Sequence, residues 1–182
     1  MTLLLDPMIG RLRRHTDLRS LLDQAVADVV ALHGGEFGNL QLRVPDGSLV
    51  LVAHARLKRD FLESFLRVTT CDRTVCMRAA RAGAVVIVED IFCDAEFSRY
   101  LDRTRTSPFR CVLSAPLATT RGVVVGVVSA HFARRYRPTP VELSSLESYC
   151  RHLADRVEAM LADCDIELTA ARLSEEMLAL AA

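Results

Sequence analysis

Arg110–Phe132, RCVLSAPLATTRGVVVGVVSAHF, is the stretch on which the fold turns. Arg110 to Ala118 and Gly122 to Phe132 are apolar, β-branched runs, and Thr119-Thr120-Arg121 between them is short enough for a hairpin connection. Successive side chains of a strand point to opposite faces. The first run therefore divides into Arg110, Val112, Ser114 and Pro116 against Cys111, Leu113, Ala115 and Leu117. The second divides into Val127, Ser129 and His131 against Val128 and Ala130. One face is uniformly apolar and suits packing under helices. The other carries Arg110, Ser114, Ser129 and His131, and a polar set of this kind is expected to face a cavity.

Upstream, Thr16 or Asp17 can cap a helix whose apolar positions from Leu18 to Leu32 recur every three or four residues and stop at Gly34-Gly35. Phe37 to Val44 and Ser48 to Arg56 flank Pro45-Asp46-Gly47, which reads as a first hairpin. Asp60 to Leu66 and Asp72 to Ala82 read as short helices, Ala84 to Glu89 as a short strand, and Ala95 to Asp102 as a further helical piece. Downstream, a helix begins after Arg137-Pro138-Thr139-Pro140. In it Leu143, Leu146, Cys150, Leu153, Val157, Met160 and Cys164 alternate spacings of three and four, as in a heptad seam. That seam fits either pairing with a second chain or packing on the chain's own sheet. Its phase slips at Asp163-Cys164-Asp165, where a kink, stutter or fraying is expected before Ile166, Ala170, Leu173, Met177 and Leu180 resume. The order predicts an α+β plan: an antiparallel sheet with terminal helices on one face and short helices over a pocket on the other.

The chain has 182 residues, 51% hydrophobic and 25% charged, which suits one domain with helical extensions. Lys plus Arg and Asp plus Glu are both 23, so the basic excess that nucleic-acid binding needs is missing. Arg11, Arg13, Arg14 and Arg19 read as a solvated helix start. Leu3-Leu4-Leu5 is cut short by Asp6-Pro7, and no run approaches the ~20 apolar residues of a membrane span. A cytoplasmic protein with no membrane partner is expected. Cys71, Cys76, Cys93, Cys111, Cys150 and Cys164 show no metal or disulfide spacing and read as reduced thiols.

Five stretches, taken together, resemble a known family: Phe61–Phe65, Thr74–Ala80, Val88–Phe97, Phe109–Leu117 and Gly126–Phe132. In this order they are similar to successive blocks of bacterial GAF domains, most closely those beside sensor histidine kinases. The resemblance spans about Leu18 to Leu161 and divides the chain into an N-terminal extension (1–15), a GAF domain (16–161) and a C-terminal helical extension (162–182). It implies a five- or six-stranded antiparallel sheet, a small-molecule pocket on one face, and terminal helices that form a homodimer and pass a signal to a partner such as a histidine kinase. In related photoreceptor GAF domains, the positions resembling Ser114 and His131 touch the chromophore.

The candidate ligand-binding residues are Arg110, Ser114, Ser129, His131, Phe97 and Tyr100, with Phe61 and Phe65 as further apolar walls. The identity of any ligand or cofactor is not legible in the sequence. His131 reads either as a ligand contact that can switch protonation near neutral pH or as a strand-end histidine satisfied by backbone or solvent. Arg110 suits a carboxylate or phosphate, or an ion pair with Glu89 or Asp90. Cys76 and Cys111 are candidate redox thiols, against the alternative that they are small buried hydrophobes. The leading expectation is a ligand-binding or redox-sensing regulatory domain, not an enzyme. The alternative is a thiol-dependent enzyme like the free methionine-R-sulfoxide reductases, a branch of the same superfamily with which Cys76 sits comparably. No metal site is expected, since no Cys/His cluster has ligand spacing.

Overall fold

The computed structural model describes residues 2–181. Asp17 caps the second helix by accepting from the Ser20 amide at 2.9 Å, and Gly34 ends it in the left-handed conformation that glycine adopts without strain. The elements run α1 (Thr2–Leu12), α2 (Leu18–His33), β1 (Phe37–Arg43), β2 (Leu49–Ala55), α3 (Arg59–Ser64), β3 (Arg67–Val68), α4 (Val75–Ala82) and β4 (Val86–Val88). A 3-10 helix (Ser98–Thr104) follows, then β5 (Cys111–Ala118), β6 (Val124–Phe132), α5 (Pro140–Leu161) and α6 (Ile166–Leu180). The chain is α+β, with one six-stranded antiparallel sheet in the order β3-β2-β1-β6-β5-β4. No helix among the described residues is long and apolar enough to cross a membrane.

Alternation along the strands builds two cores. Leu40, Leu42, Leu113, Ala115, Val128, Ala130 and Phe132 pack beneath α1, α2 and α5. On the other face, Leu49, Leu51, Val112 and Val127 meet α3, α4 and the aromatic residues of the loop that leads to β5. A register shift between Leu40 and Gln41 leaves Val52 of β2 as the extra residue of a bulge.

Two expectations change at the chain ends. The arginine cluster, expected as a solvated helix start, is solvated only in part. Arg11 reaches the buried Asp28 at 2.7 Å, where Tyr149 of α5 also donates at 2.9 Å, so one carboxylate ties α1, α2 and α5 together. Arg19 donates to the Val52 and Leu173 carbonyls, joining α2 to the bulge and to α6. Arg13 and Arg14 remain exposed.

The seam on α5 lies within the chain's own core. Leu146, Leu153 and Val157 are fully buried and Cys150 nearly so, together with Tyr149, Ala154 and Leu161. That is the wide stripe of a helix lying on a sheet. The expected break occurs after Leu161: Asp165 caps a separate helix by accepting from the Leu168 amide at 3.0 Å. α6 then folds back along β2, burying Ala170, Leu173 and Met177. β3 pairs only with the start of β2, so α6 covers the β2 edge that β3 leaves open.

Candidate functional site

The pocket-side face of the three central strands is polar along one line. Asn39 of β1 lies directly opposite Ser129 of β6, and Ser129 lies opposite Ser114 of β5. The two serine hydroxyls hydrogen-bond at 2.8 Å, and all three side chains are buried. Two residues from that line, in opposite directions because the strands run antiparallel, Gln41 of β1 (opposite Val127) and His131 of β6 (opposite Phe37) face the same way. α3, α4 and the loop before β5 lay Phe61, Phe65, Val75, Cys76, Phe97 and Phe109 over this floor. Floor and cover enclose a cavity of about 30 Å³. That is room for one or two water-sized groups, well short of the ~300 Å³ at which drug-sized pockets begin.

The site is defined by which polar atoms are satisfied. His131 Nε2 lies 2.9 Å from Asn39 Oδ1. An amide oxygen only accepts, so this bond places the ring proton on Nε2 and leaves Nδ1 as an acceptor. Nδ1 is buried and has no partner. Gln41 is 1% exposed, and neither its Oε1 nor its Nε2 has a partner. A buried polar atom without a hydrogen bond costs about 1–3 kcal/mol, and three such atoms sit on side chains that line this cavity. Phe61 and Phe109 meet the His131 ring edge to face at 5.8 and 4.5 Å. Enclosure of this kind disfavours the imidazolium and pushes the His131 pKa down to about 3, so the ring is neutral near pH 7.

Of the residues expected from sequence, Ser114, Ser129, His131, Phe97 and Cys76 line the cavity, as do Phe61 and Phe65. Arg110 does not. It precedes the first residue of β5, and its guanidinium turns outward to Asp90 at 2.7 and 3.0 Å. Arg135 joins the same carboxylate at 2.8 Å, and the two arginines hold Asp90 well below the usual carboxylate range. Tyr100 stands one layer back, its ring against Phe65 and Phe97. Its hydroxyl donates to Asp72 at 3.0 Å and accepts from the Arg73 amide at 2.9 Å, which anchors the entry to α4.

Cys111 is corrected as well. β5 alternation puts it on the helix side, fully buried, with its thiol donating to the Tyr136 carbonyl at 3.5 Å. Burial pushes its pKa up to about 11. Cys76 is half-buried, 3.2 Å from Thr74 Oγ1, and burial raises its thiol to about 11 too. Both are protonated near neutral pH, whereas a redox-sensing thiol needs a lowered pKa. All six cysteines are free. No group of three or more metal-ligating side chains occurs among the described residues.

The sequence reading missed Asn39, Gln41 and Phe109. The signal for the first two was present: Asn39 and Gln41 alternate with Leu40 and Leu42, the same period that singled out Ser129 and His131.

The family model for the GAF domain matches residues 15–158. The chain belongs to the GAF domain family. Among solved structures, this GAF domain is similar to that of an Acinetobacter phosphoenolpyruvate-protein phosphotransferase, at 17% identity over 89% of this chain and 95% of the other, with a TM-score of 0.72. It is also similar to the free methionine-R-sulfoxide reductase from Neisseria meningitidis solved with its substrate, at 20% identity over 85% and 86% of the two chains and a TM-score of 0.68. A third similar structure is a domain assigned to a two-component sensor histidine kinase from Sinorhizobium meliloti, at 17% identity over 82% and 96% and a TM-score of 0.65. At these identities the likeness speaks for the fold. Comparison with curated proteins gave no match. The matched region begins close to the cap of α2 and ends within α5, so α1 and α6 flank the GAF domain proper.

Proposed function

We propose that this GAF domain is a regulatory module that binds a small molecule between the central strands and the α3–α4 cover. The observation that carries this reading is the Gln41 amide, buried in the cavity with both of its polar ends unpaired. Binding there satisfies atoms that folding alone leaves at a cost. The reductase alternative lacks comparable support, because among the cysteines only Cys76 is a lining residue and its thiol is held protonated.

Transmission follows the packing. Phe61 of α3 and Phe65 at its C-terminal end form part of the cavity wall and share a core with Met177 of α6. An occupant that displaces α3 therefore bears on α6, and occupancy shifts the balance between two positions of the C-terminal helix. The outer side of the helical layer, where Leu5, Ile9 and Val141 leave apolar surface, is where a second copy of the chain or a signalling partner such as a histidine kinase would dock. A homodimer would use this surface, since most of the α5 seam packs on the chain's own sheet. A metabolite screen by native mass spectrometry tests the reading. A bound compound that is lost on Gln41→Leu or His131→Phe is expected, and a bound compound that both variants retain contradicts it.

A further inference from the structure

β4 stops short of β5. The two strands pair from Val88 opposite Val112 to Val86 opposite Ser114, and β5 runs on to Ala118 with no described strand beside it on that side. The same register would next set Ala84 against Pro116. Proline has no N–H with which to continue a ladder, and within a strand it is tolerated where the missing donor faces an open edge. Gly83, left-handed at φ 60°, ends α4 at the same point. Between this truncated edge and α5 lies a notch of about 240 Å³. Val85, Ala115, Pro116 and Cys150 give it apolar walls, and the exposed Glu147 and Arg151 of α5 complete the lining. It shares no lining residue with the cavity under α3 and α4.

The two charges are neighbours one turn apart, with Cβ atoms about 5–6 Å from each other on the helix surface. Further along α5 the charged groups are taken: Asp155 accepts from the Thr120 amide at 2.8 Å, and Glu158 pairs with Arg121 at 2.8 Å. Among the described residues Glu147 and Arg151 have no ion-pair partner, each other included. We propose that this notch binds a small zwitterion with an aliphatic body, of the α-amino-acid kind. The ligand ammonium donates to the Glu147 carboxylate, and the ligand carboxylate accepts from the Arg151 guanidinium. Its aliphatic part lies on Val85, Ala115 and Pro116. A plain amine answers only Glu147 and a plain carboxylate only Arg151. The volume holds about eight water-sized groups, which matches an amino acid with a short branched side chain. A direct Glu147–Arg151 pair is the competing arrangement, and an exposed pair at this spacing contributes too little to exclude a ligand.

L-alanine, L-valine and L-leucine are the test ligands, titrated into the full-length protein while backbone amide signals are followed by NMR. Isobutylamine and isovalerate serve beside them, since each keeps the branched body of valine and one of its two charges. Valine is expected to shift the Ala84, Val85, Ala118 and Arg151 amides and to bind roughly ten-fold or more tightly than either singly charged probe. Glu147→Gln should lower valine to the affinity of isovalerate, and Arg151→Gln should lower it to that of isobutylamine. Both positions are exposed, so the variants are expected to keep the wild-type spectrum away from the notch. Valine binding no tighter than that of the two probes overturns the proposal, as does valine binding that both variants leave intact. Failure of all three amino acids to bind overturns it too. Shifts confined to residues under α3 and α4 also contradict it, and would place amino-acid binding in the other cavity.

Discussion

His131 stands between Phe61 and Phe109 with one nitrogen bonded to Asn39 and the other buried without a partner. Burial depresses its pKa from 6.5 to about 3. The unfolded chain therefore takes up a proton below about pH 6.5 that the folded chain refuses until about pH 3, and stability falls as pH falls through that window. Denaturant titrations from pH 7 to pH 4 should show a loss on the order of 3 kcal/mol attributable to this ring and missing from His131→Phe. Identical acid slopes for the two proteins would show that His131 is not held neutral. Gln41 supports a second expectation at this scale. Replacing its unpaired amide with an apolar group of similar size removes a desolvation cost, so Gln41→Leu should raise the Tm of the ligand-free protein, by about 2–8 °C for 1–2 kcal/mol. A lowered Tm would mean that the amide already has partners in solution.

At the scale of elements, the strands were more legible in the sequence than the helices' partners. Period-two alternation sorted Ser114, Ser129 and His131 from Cys111 and Leu113 because side-chain facing within a strand depends on the strand alone. The same alternation could not place Arg110. That arginine precedes the strand, and its direction is set by Asp90, which arrives only when β4 pairs with β5. The α5 spacing was read as compatible with either a partner chain or the sheet, and repeats of three and four do not separate those cases over a helix of this length. Tyr149 and Ala154, buried beside the seam, are what make the stripe wide enough for a sheet. α6 was legible as a new phase after Asp165, but its role as cover for the β2 edge depends on how short β3 is. Deleting residues 166–182 should uncover that edge together with the apolar surface under Leu173 and Met177. We expect the truncated protein to lose roughly 10 °C or more of Tm and to self-associate beyond the full chain in light scattering. Unchanged stability and mass would show that α6 is an appendage.

For the molecule as a whole, the sheet separates two jobs. Its helix side holds α1, α2 and α5 on an apolar core with Asp28 as their common anchor, and its pocket side carries the polar line from Asn39 to Ser114 under an aromatic cover. Three of the orphaned buried polar atoms among the described residues, both ends of Gln41 and His131 Nδ1, belong to side chains that line this one cavity. The central claim is that the unmet atoms of Gln41 and His131 are the binding determinants of this GAF domain. A high-resolution crystal structure of the full chain tests it most directly. The account predicts density in the cavity, from a small molecule or from ordered water standing in for one, within hydrogen-bonding distance of the Gln41 amide or of His131 Nδ1. A closed cavity in which Gln41 has turned to pair with protein groups would contradict it.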